Sequence, residues 1–150
     1  MLIEPVTPQN LFLAAQIHAV SWQDSHRAFC SEAFVRAHTA QRQAARMQEA
    51  MAQGARFFLL TDGSPKGVVS VQGSLIENLY ILPGEQRKGY GTRLLRFAEQ
   101  QCDGQPTLWV LNNNPCARAL YERLGYRATG RQNALNERLF ELEMALAIPD

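Results

Sequence analysis

The segment Gln86-Arg-Lys-Gly-Tyr-Gly91 is the most informative stretch of this chain. It follows residues 75–82, which are rich in large apolar residues and stop before Pro83, and it precedes residues 92–101, mostly good helix formers. These patterns predict a strand, a turn with two glycines and a helix. Because backbone N–H groups converge where a helix begins and the helix dipole favours negative charge there, the segment predicts an anion site.

The expected ligand of this turn is a phosphate or pyrophosphate. Gly89 and Gly91 let the backbone approach a ligand closely, and Arg87 and Lys88 add positive charge. A dinucleotide-binding fingerprint is excluded because it needs a glycine where this chain has Leu94, and a P-loop is excluded because a tyrosine follows its second glycine. The alternative is a basic, glycine-containing turn at a helix start without a ligand.

A second motif lies one strand further along. Residues 107–111 predict a short buried strand, and a turn leads from them into a helix over residues 116–124. Asn114 is the expected N-cap of this helix, Pro115 its first residue and Gly125 its C′ residue.

The two segments together resemble the GCN5-related N-acetyltransferase (GNAT) family, whose members hold acetyl-coenzyme A. The first matches the family pattern Gln/Arg-x-x-Gly-x-Gly, and the second matches Asn-x-x-Ala-x-x-x-Tyr-x-x-x-Gly-Phe/Tyr. The residues that carry the second match are Asn114, Ala117, Tyr121, Gly125 and Tyr126. The resemblance covers about residues 75–126 at the level of motifs.

The resemblance implies an α/β fold of the three-layer α+β kind, with a mixed central sheet of about seven strands between flanking helices. The apolar patterns in the rest of the chain predict helices and strands that are compatible with this fold. Helices are predicted over residues 8–22 and 31–53, the second with a break at which Thr39 caps the following piece. Further strands are predicted over residues 2–6, 56–60, 67–71, 126–130 and 138–146. We expect residues 1–150 to form a single domain.

The strands over residues 75–82 and 107–111, with the helix between them, predict a parallel βαβ unit. In the family these strands splay apart, and the resemblance implies that the backbone around Leu79 to Ile81 binds the pantetheine arm. The ring of Tyr80 points away from its neighbours, which favours a core position. The cofactor-binding residues implied by the resemblance are Leu79, Tyr80, Ile81, Gln86, Arg87, Lys88, Gly89, Tyr90, Gly91, Thr92, Asn114, Ala117 and Tyr121.

The implied reaction is direct transfer of an acetyl group from the thioester to an amine, with a backbone N–H near Ile81 stabilising the oxyanion. The resemblance assigns to Tyr121 the protonation of the departing thiolate; the alternative is a ring that packs against the cofactor without proton transfer. Several family members carry a glutamate base at the position of Leu75. Glu77 lies on the same face of that strand, where it activates the amine through a water, binds a cationic acceptor, or is merely solvated.

The acceptor pocket is expected between the first helices and the sheet. Trp22, Asp24 and His26 are the candidate substrate-binding residues, with Trp22 offering a cation–π face and Asp24 attracting a cationic amine. The alternative is a helix terminus whose tryptophan fills the core. His18 and His38 are predicted to be ordinary residues of helix surfaces. Asn112 and Asn113 contact the pantetheine arm or simply form a turn.

Composition excludes several classes of function. With 46% hydrophobic and 19% charged residues and a net charge of +1, the chain is an ordinary globule without general affinity for nucleic acid or membranes. Positive charge is local, at Arg87, Lys88, Arg93 and Arg96 around the turn. No signal peptide or membrane-spanning run is visible, and three widely spaced cysteines argue against disulfides and zinc, so we expect no metal and a cytoplasmic location.

The sequence thus predicts an N-acetyltransferase that moves an acetyl group from acetyl-CoA to a primary amine of a small molecule or peptide, as a monomer or homodimer. The alternative is a non-catalytic acyl-CoA sensor or interaction module of the same fold. Leu75 in place of a glutamate favours the alternative, whereas an intact Tyr121 favours the enzyme.

Overall fold

The computed structural model describes residues 1–148 of the chain. Within that range, seven strands form one mixed sheet in the order β1-β2-β3-β4-β5-β7-β6, flanked by five helices. The strands are β1 (Leu2–Pro5), β2 (Arg56–Asp62), β3 (Ser64–Gln72), β4 (Leu75–Ile81), β5 (Thr107–Leu111), β6 (Tyr126–Ala134) and β7 (Phe140–Leu146). The helices are α1 (Leu11–His26), α2 (Glu32–Ala37), α3 (Ala40–Ala52), α4 (Tyr90–Gln101) and α5 (Pro115–Arg123). The predicted three-layer fold with a mixed sheet is confirmed.

One strand pair of the sheet is parallel. β4 and β5 run in the same direction with α4 as the crossover between them, whereas each of the other neighbouring pairs is antiparallel. The predicted parallel βαβ unit is therefore present. It places the carboxyl end of β4, the start of α4 and the start of α5 at one edge of the molecule, where the two sequence motifs meet.

Helices on both faces of the sheet create two apolar clusters. Phe58 and Leu60 of β2 pack in the cluster beneath α4 and α5, whereas Phe57 and Leu59 pack against α1 and α3. A central strand covered on both faces needs apolar residues at successive positions, which explains why β2 shows a continuous apolar run instead of alternation.

The first helix differs from its prediction at both ends. It begins at Leu11 because the side chain of Asn10 accepts a hydrogen bond from Thr7 N at 2.7 Å and donates to Pro5 O at 3.2 Å, which holds the preceding residues in a turn. It continues to His26, since contacts with the next segment, such as Gln23 Nε2 to His38 O at 2.8 Å, support its last turn.

Two other boundaries were tested by the structure, the break before α3 and the end of β6. The predicted break in the second helical region is present, and the Thr39 side chain accepts from Arg42 N at 3.2 Å. Near the other end of the chain, β6 runs on to Ala134 and is longer than predicted. An exposed edge strand does not need the apolar residues by which strands are recognised, so the sequence pattern of its polar half predicts a loop.

The prediction that His18 and His38 lie on helix surfaces is wrong. The two side chains are 3% and 7% exposed, and their rings stack with centroids 5.8 Å apart. His18 lies between α1 and β4, where it contacts Asn78 and Tyr80, whereas His38 lies between α1 and α3 against Trp22 and Arg46.

Candidate active site

The two parallel strands separate soon after they begin. Within residues 1–148 their ladder consists of the single pair Leu75↔Thr107, beside which Thr107 N donates to Ser74 O at 2.8 Å. β5 then stays paired with β7 along its whole length, from Thr107 to Leu111. A gap therefore opens between β4 and β5 toward their carboxyl ends, as the family resemblance implied.

The loop that leads from β4 into α4 presents a run of free backbone donors. Among the residues that the structure describes, none accepts a hydrogen bond from the N–H groups of residues 86–92. The run ends at Arg93, whose N–H donates to Gly89 O at 3.1 Å. Because the helix dipole is positive here, these donors form a site for an anion such as a phosphate.

The backbone of this loop is left-handed at three positions. The φ angles are +84° at Gly84, +64° at Arg87 and +88° at Gly89. Left-handed residues set into a turn direct successive N–H groups toward one side and produce an anion-binding concavity. A Cβ at Gly89 would meet no atom within 4 Å, so the glycine is required by its φ angle and not by lack of space.

Two predicted cofactor-binding side chains of the loop form hydrogen bonds within the protein. Gln86 Nε2 donates to Ile81 O at 3.2 Å, which ties the loop to the end of β4. Tyr90 Oη donates to Asp62 Oδ2 at 2.8 Å and so points toward the β2–β3 turn. These contacts fix the loop and leave its N–H groups as the main donors to a ligand, while Thr92 lies half-buried in the first turn of α4.

Charged side chains surround the loop. Glu85 pairs with Lys88 at 3.1 Å and with Lys66 at 3.2 Å, and the hydrogen bond from Lys88 is the main reason that its pKa is lowered. Lys88 is exposed, and an ion pair with an exposed partner is weak, so Lys88 can turn toward a ligand. Arg87 and Arg93 are exposed and form no ion pair within the described part of the chain. Arg93, predicted from the sequence only as local positive charge, is therefore a further candidate contact.

A bulge interrupts β4 beside the gap. Ser70 pairs with Glu77 and Val68 with Tyr80, so Val69 faces two residues of β4, one of which is Asn78 with φ +56°. Strict alternation along β4 would put the side chain of Glu77 on the opposite face from Tyr80. The extra residue reverses the alternation and places both side chains on the face of the sheet that α1 covers.

The second motif positions α5 on the other face. Asn114 Oδ1 accepts from Ala117 N at 3.1 Å, which confirms the predicted N-cap, and Pro115 is the first residue of the helix. Ala117 and Tyr121 both pack against the core beneath α5. The ring of Tyr121 lies 6.0 Å from that of the fully buried Tyr126, edge to face.

The comparison with known families bears on the resemblance carried by the two motifs. The family described as the acetyltransferase (GNAT) domain matches residues 13–146, which is most of the chain. This protein belongs to the GNAT acetyltransferase family. No curated protein sequence matches it significantly.

Solved structures confirm the GNAT fold. A GCN5-related N-acetyltransferase from Rhodopseudomonas palustris superposes with a TM-score of 0.74 at 22% identity, covering 98% of this chain and 95% of that one. The PaiA N-acetyltransferase of Thermoplasma acidophilum, in complex with coenzyme A, gives 0.69 at 16% identity, covering 95% and 98%. A point mutant of the spermidine N-acetyltransferase SpeG of Vibrio cholerae gives 0.70 at 18% identity, covering 97% and 94%.

Two tyrosines of this GNAT domain have altered acidity. Burial raises the pKa of Tyr121, and burial together with the nearby Tyr121 raises the pKa of Tyr80 to about 12. Both phenols therefore remain protonated at neutral pH. The ring of Tyr80 packs 4.7 Å from that of His18 on the face of the sheet that α1 covers, in agreement with the predicted core position.

The candidate base is a carboxylate with a raised pKa. Partial desolvation, followed by the carboxylate of Glu141, raises the pKa of Glu77. The side chain remains exposed on the surface of β4. A raised pKa makes the carboxylate a stronger base, which suits proton removal near neutral pH. Glu141 of β7 is a neighbour that sequence spacing gave no means to find.

Trp22 does not offer the predicted cation–π face. His38 stacks on one side of the indole at 3.9 Å and His26 on the other at 4.0 Å, with ring planes within 7° and 12°. Both faces are covered, so this expectation is corrected: Trp22 is the centre of an aromatic stack. Phe34, which is 59% exposed, extends the stack to the surface, at 5.8 Å from Trp22.

Asp24 and Asn112 have other surroundings than predicted. Asp24 is exposed on α1 and, by helical periodicity, roughly 200° around the axis from Trp22, so the structure does not bring the two together. Asn112 accepts from Phe140 N at 3.0 Å and donates to Arg138 O at 3.1 Å, which assigns it to the closure of the β5–β7 ladder.

The described residues contain neither a metal-binding cluster nor a membrane-spanning helix. No group of three or more His, Cys, Asp or Glu side chains there is arranged to hold a metal ion. No helix in that range is both long and apolar enough to cross a bilayer.

Proposed function

We propose that this protein is an acetyl-CoA-dependent N-acetyltransferase that moves an acetyl group directly to a primary amine of a small molecule or peptide. The observation that carries the proposal is the run of free N–H groups over residues 86–92, at the start of α4 and beside the gap between β4 and β5. A diphosphate matches the donors, and an extended arm of amides matches the unpaired strand edges of the gap.

The first task of the site is to hold the thioester. The loop N–H groups, with Arg87 and Lys88, would bind the diphosphate. The backbone of residues 79–81 would pair with the pantetheine arm, and Gln86, bonded to Ile81 O, keeps the loop and the strand in a fixed relation. Holding the acyl group beside the amine removes an entropic barrier that is worth several kcal/mol, roughly 7–11 at most. The acyl carrier supplies the activated carbonyl, and a backbone N–H near Ile81 would stabilise the developing oxyanion.

The second task is to manage protons. Glu77, with its raised pKa, would accept a proton from the amine, directly or through a water. Tyr121, which stays protonated because burial raises its pKa, would donate to the departing thiolate. The hydroxyl forms no hydrogen bond with the described part of the chain, so it is available for such a donation.

The acceptor is proposed to be cationic in solution. An alkyl amine has a pKa of about 10 and carries a charge at neutral pH. Glu77 and Glu141 place two carboxylates close together on the acceptor face, and their mutual repulsion is relieved by a cation. The structurally similar spermidine N-acetyltransferase is named for such an acceptor, which supports this choice. A cytoplasmic location agrees with the three free cysteines, and a monomer or homodimer is expected.

The test is release of the coenzyme A thiol from acetyl-CoA in the presence of polyamines, aminoglycosides, amino acids and peptides. We expect turnover with at least one amine and calorimetric binding of coenzyme A. Binding without turnover across the whole panel would instead assign the protein to the acyl-CoA sensors, for which the missing glutamate at Leu75 is the supporting observation. Absence of binding would contradict both functions.

A further inference from the structure

A buried polar network lies behind the β4 bulge, outside the residues assigned to chemistry. His18 Nε2 of α1 lies 2.9 Å from Asn78 Oδ1. Asn78 Nδ2 donates to Ser70 Oγ at 2.9 Å, and Ser70 Oγ donates to the backbone carbonyl of Glu77 at 3.1 Å. His18 and Ser70 are each 3% exposed and Asn78 is half-buried, so both ends of the network are shielded from water. It joins α1, β3 and β4 at the point where β4 loses its regular register.

The direction of each hydrogen bond follows from the chemistry of the groups. The amide nitrogen of Asn78 is used by Ser70, so its oxygen faces His18, and the imidazole must donate through Nε2–H. The other ring nitrogen, Nδ1, is buried and has no partner within residues 1–148. A proton there would lack an acceptor, so the neutral ring with its hydrogen on Nε2 is the stable form. Burial, the largest effect on its pKa, lowers it accordingly.

The network holds a backbone conformation that strands do not adopt by themselves. Asn78 has φ +56°, a left-handed conformation that is uncommon outside glycine, and asparagine is among the few residues that tolerate it. The bulge redirects the following residues: Ile76 packs beneath α4, and so do Leu79 and Ile81. Without the bulge, Ile76 would lie on the opposite face of the sheet from the other two. The bulge therefore sets the orientation of every peptide group along the gap.

We propose that His18 is a positioning residue, which through Asn78 fixes the β4 bulge and thereby the direction of the backbone of residues 79–81 toward the acyl group. The inference rests on the proposed function for the identity of the acyl ligand. The link between His18 and the bulge is a property of the fold and can be tested without turnover. A shift of about 1 Å in a reacting group can reduce a rate roughly 100-fold, so small changes at the bulge are expected to matter.

The test compares His18→Leu, which fills the space without a donor, with His18→Gln, whose amide can still donate to Asn78. For His18→Leu we expect roughly 10- to 100-fold lower kcat and a smaller loss of calorimetric affinity for coenzyme A, because the pairing of residues 79–81 with the pantetheine arm is disturbed while the loop at α4 is untouched. Amide hydrogen exchange at residues 78–80 should become faster, whereas exchange in β7 stays unchanged. His18→Gln should restore a substantial part of kcat and of the protection of residues 78–80 from exchange.

Ser21→Ala is the matched control. Ser21 lies on the same helix, is 4% exposed and donates only to Ile17 O within the described residues, so its loss perturbs α1 without touching β4. Asn78→Gly keeps the left-handed backbone accessible but removes the link to His18, and should behave like His18→Leu. If His18→Leu does not fold, Asn78→Gly, which removes the same hydrogen bond, takes its place in each measurement.

Three outcomes would overturn the proposal. The first is that amide exchange at residues 78–80 is as slow in His18→Leu as in the wild type. The second is that Asn78→Gly keeps full activity and full protection from exchange. The third is that Ser21→Ala lowers kcat and protection as much as His18→Leu does. A wild-type protein without turnover contradicts the proposed function, yet the exchange measurement then still decides whether His18 fixes the bulge.

Discussion

Tyr121 and Glu77 belong to opposite faces of the sheet, and their surroundings change their acidity in ways that suit different tasks. Tyr121 packs beneath α5, where burial raises its pKa and keeps the phenol protonated. Glu77 lies on the face of the sheet that α1 covers, where desolvation and the carboxylate of Glu141 raise its pKa and make it more basic. One group can thus donate a proton and the other accept one at the same pH.

Replacing Tyr121 with phenylalanine tests the acid. The change removes a hydroxyl that has no partner in the described part of the chain, so folding stability should change by less than about 0.5 kcal/mol. We expect kcat to fall roughly 100-fold while affinity for coenzyme A stays close to wild type, because a general acid acts mainly in the transition state. Steady-state kinetics and calorimetry measure the two quantities. An unchanged kcat would leave Tyr121 only a packing role.

The pH dependence of the rate tests Glu77. A base works only when ionised, so kcat/KM should rise with pH through the pKa of Glu77, which lies above the usual value for glutamate. Glu77→Gln should lower kcat/KM by about 100-fold and remove this limb of the profile. Glu137→Gln, at an exposed glutamate of the β6–β7 connection, is the control. If the acidic limb persists in Glu77→Gln, another group is the base.

At the scale of secondary-structure elements, a negative charge in the loop before α4 tests whether this loop binds the diphosphate. Gly89→Asp should weaken binding of coenzyme A by at least about 100-fold, because it adds a negative charge beside the diphosphate and strains a left-handed residue. Gly130→Asp is a matched control: its φ is +94° and a Cβ there also meets nothing within 4 Å, but it lies on β6. Calorimetry should show loss of affinity in the first variant alone. Equal affinities would exclude the loop as the phosphate site.

The contact between β3 and the end of β4 is a second vulnerable place. A Cβ at Gly67 would lie 2.5 Å from Ile81 Cδ1 and 2.8 Å from the backbone oxygen of Tyr80, so Gly67→Ala must push the strands apart. We expect a loss of roughly 1–3 kcal/mol in denaturant unfolding and a lower kcat. Gly104→Ala, where the nearest atom is the flexible Ser74 Oγ at 3.3 Å, should be nearly neutral. If Gly67→Ala is as stable as the wild type, β3 and β4 can move apart at this position at little cost in free energy.

At the scale of the whole molecule, all three histidines of the chain belong to one aromatic stack, and the pKa of each is lowered mainly by burial. For His38 the pKa falls from 6.5 to about 4. The unfolded chain then binds more protons than the folded one between these values. Stability is therefore full above about pH 6.5 and decreases as the pH falls toward 4, by at most roughly 1.4 kcal/mol per pH unit for each histidine.

Urea unfolding at about pH 7.5 and about pH 5, followed by the fluorescence of Trp22 and Trp109, measures this effect. The wild type should be less stable at the lower pH, and His38→Phe should reduce the difference, because the phenyl ring can stack on Trp22 without titrating. A difference of the same size in both proteins would assign the acid sensitivity to the carboxylates instead.

Local sequence was sufficient for the parts of the protein that depend on neighbouring residues. The donor loop at Gly89, the N-cap at Asn114 and the break at Thr39 each follow from residues within a few positions, since turns and helix ends are formed by local backbone geometry. The order of elements followed from apolar patterns, and the two motifs together led to the GNAT family.

Tertiary structure alone decided the features that join distant segments. The bulge in β4 is stabilised by a hydrogen bond between His18 and Asn78, sixty positions apart in the chain, and the stack on Trp22 unites α1 with the junction of α2 and α3. An asparagine inside a predicted strand was the one visible sign of the bulge, since strands are depleted in it. Side-chain packing between remote elements leaves no periodic trace in either segment. For that reason, the sequence determined the loop of free backbone donors before α4, whereas the three-dimensional fold determined the contacts that hold β4 beside it.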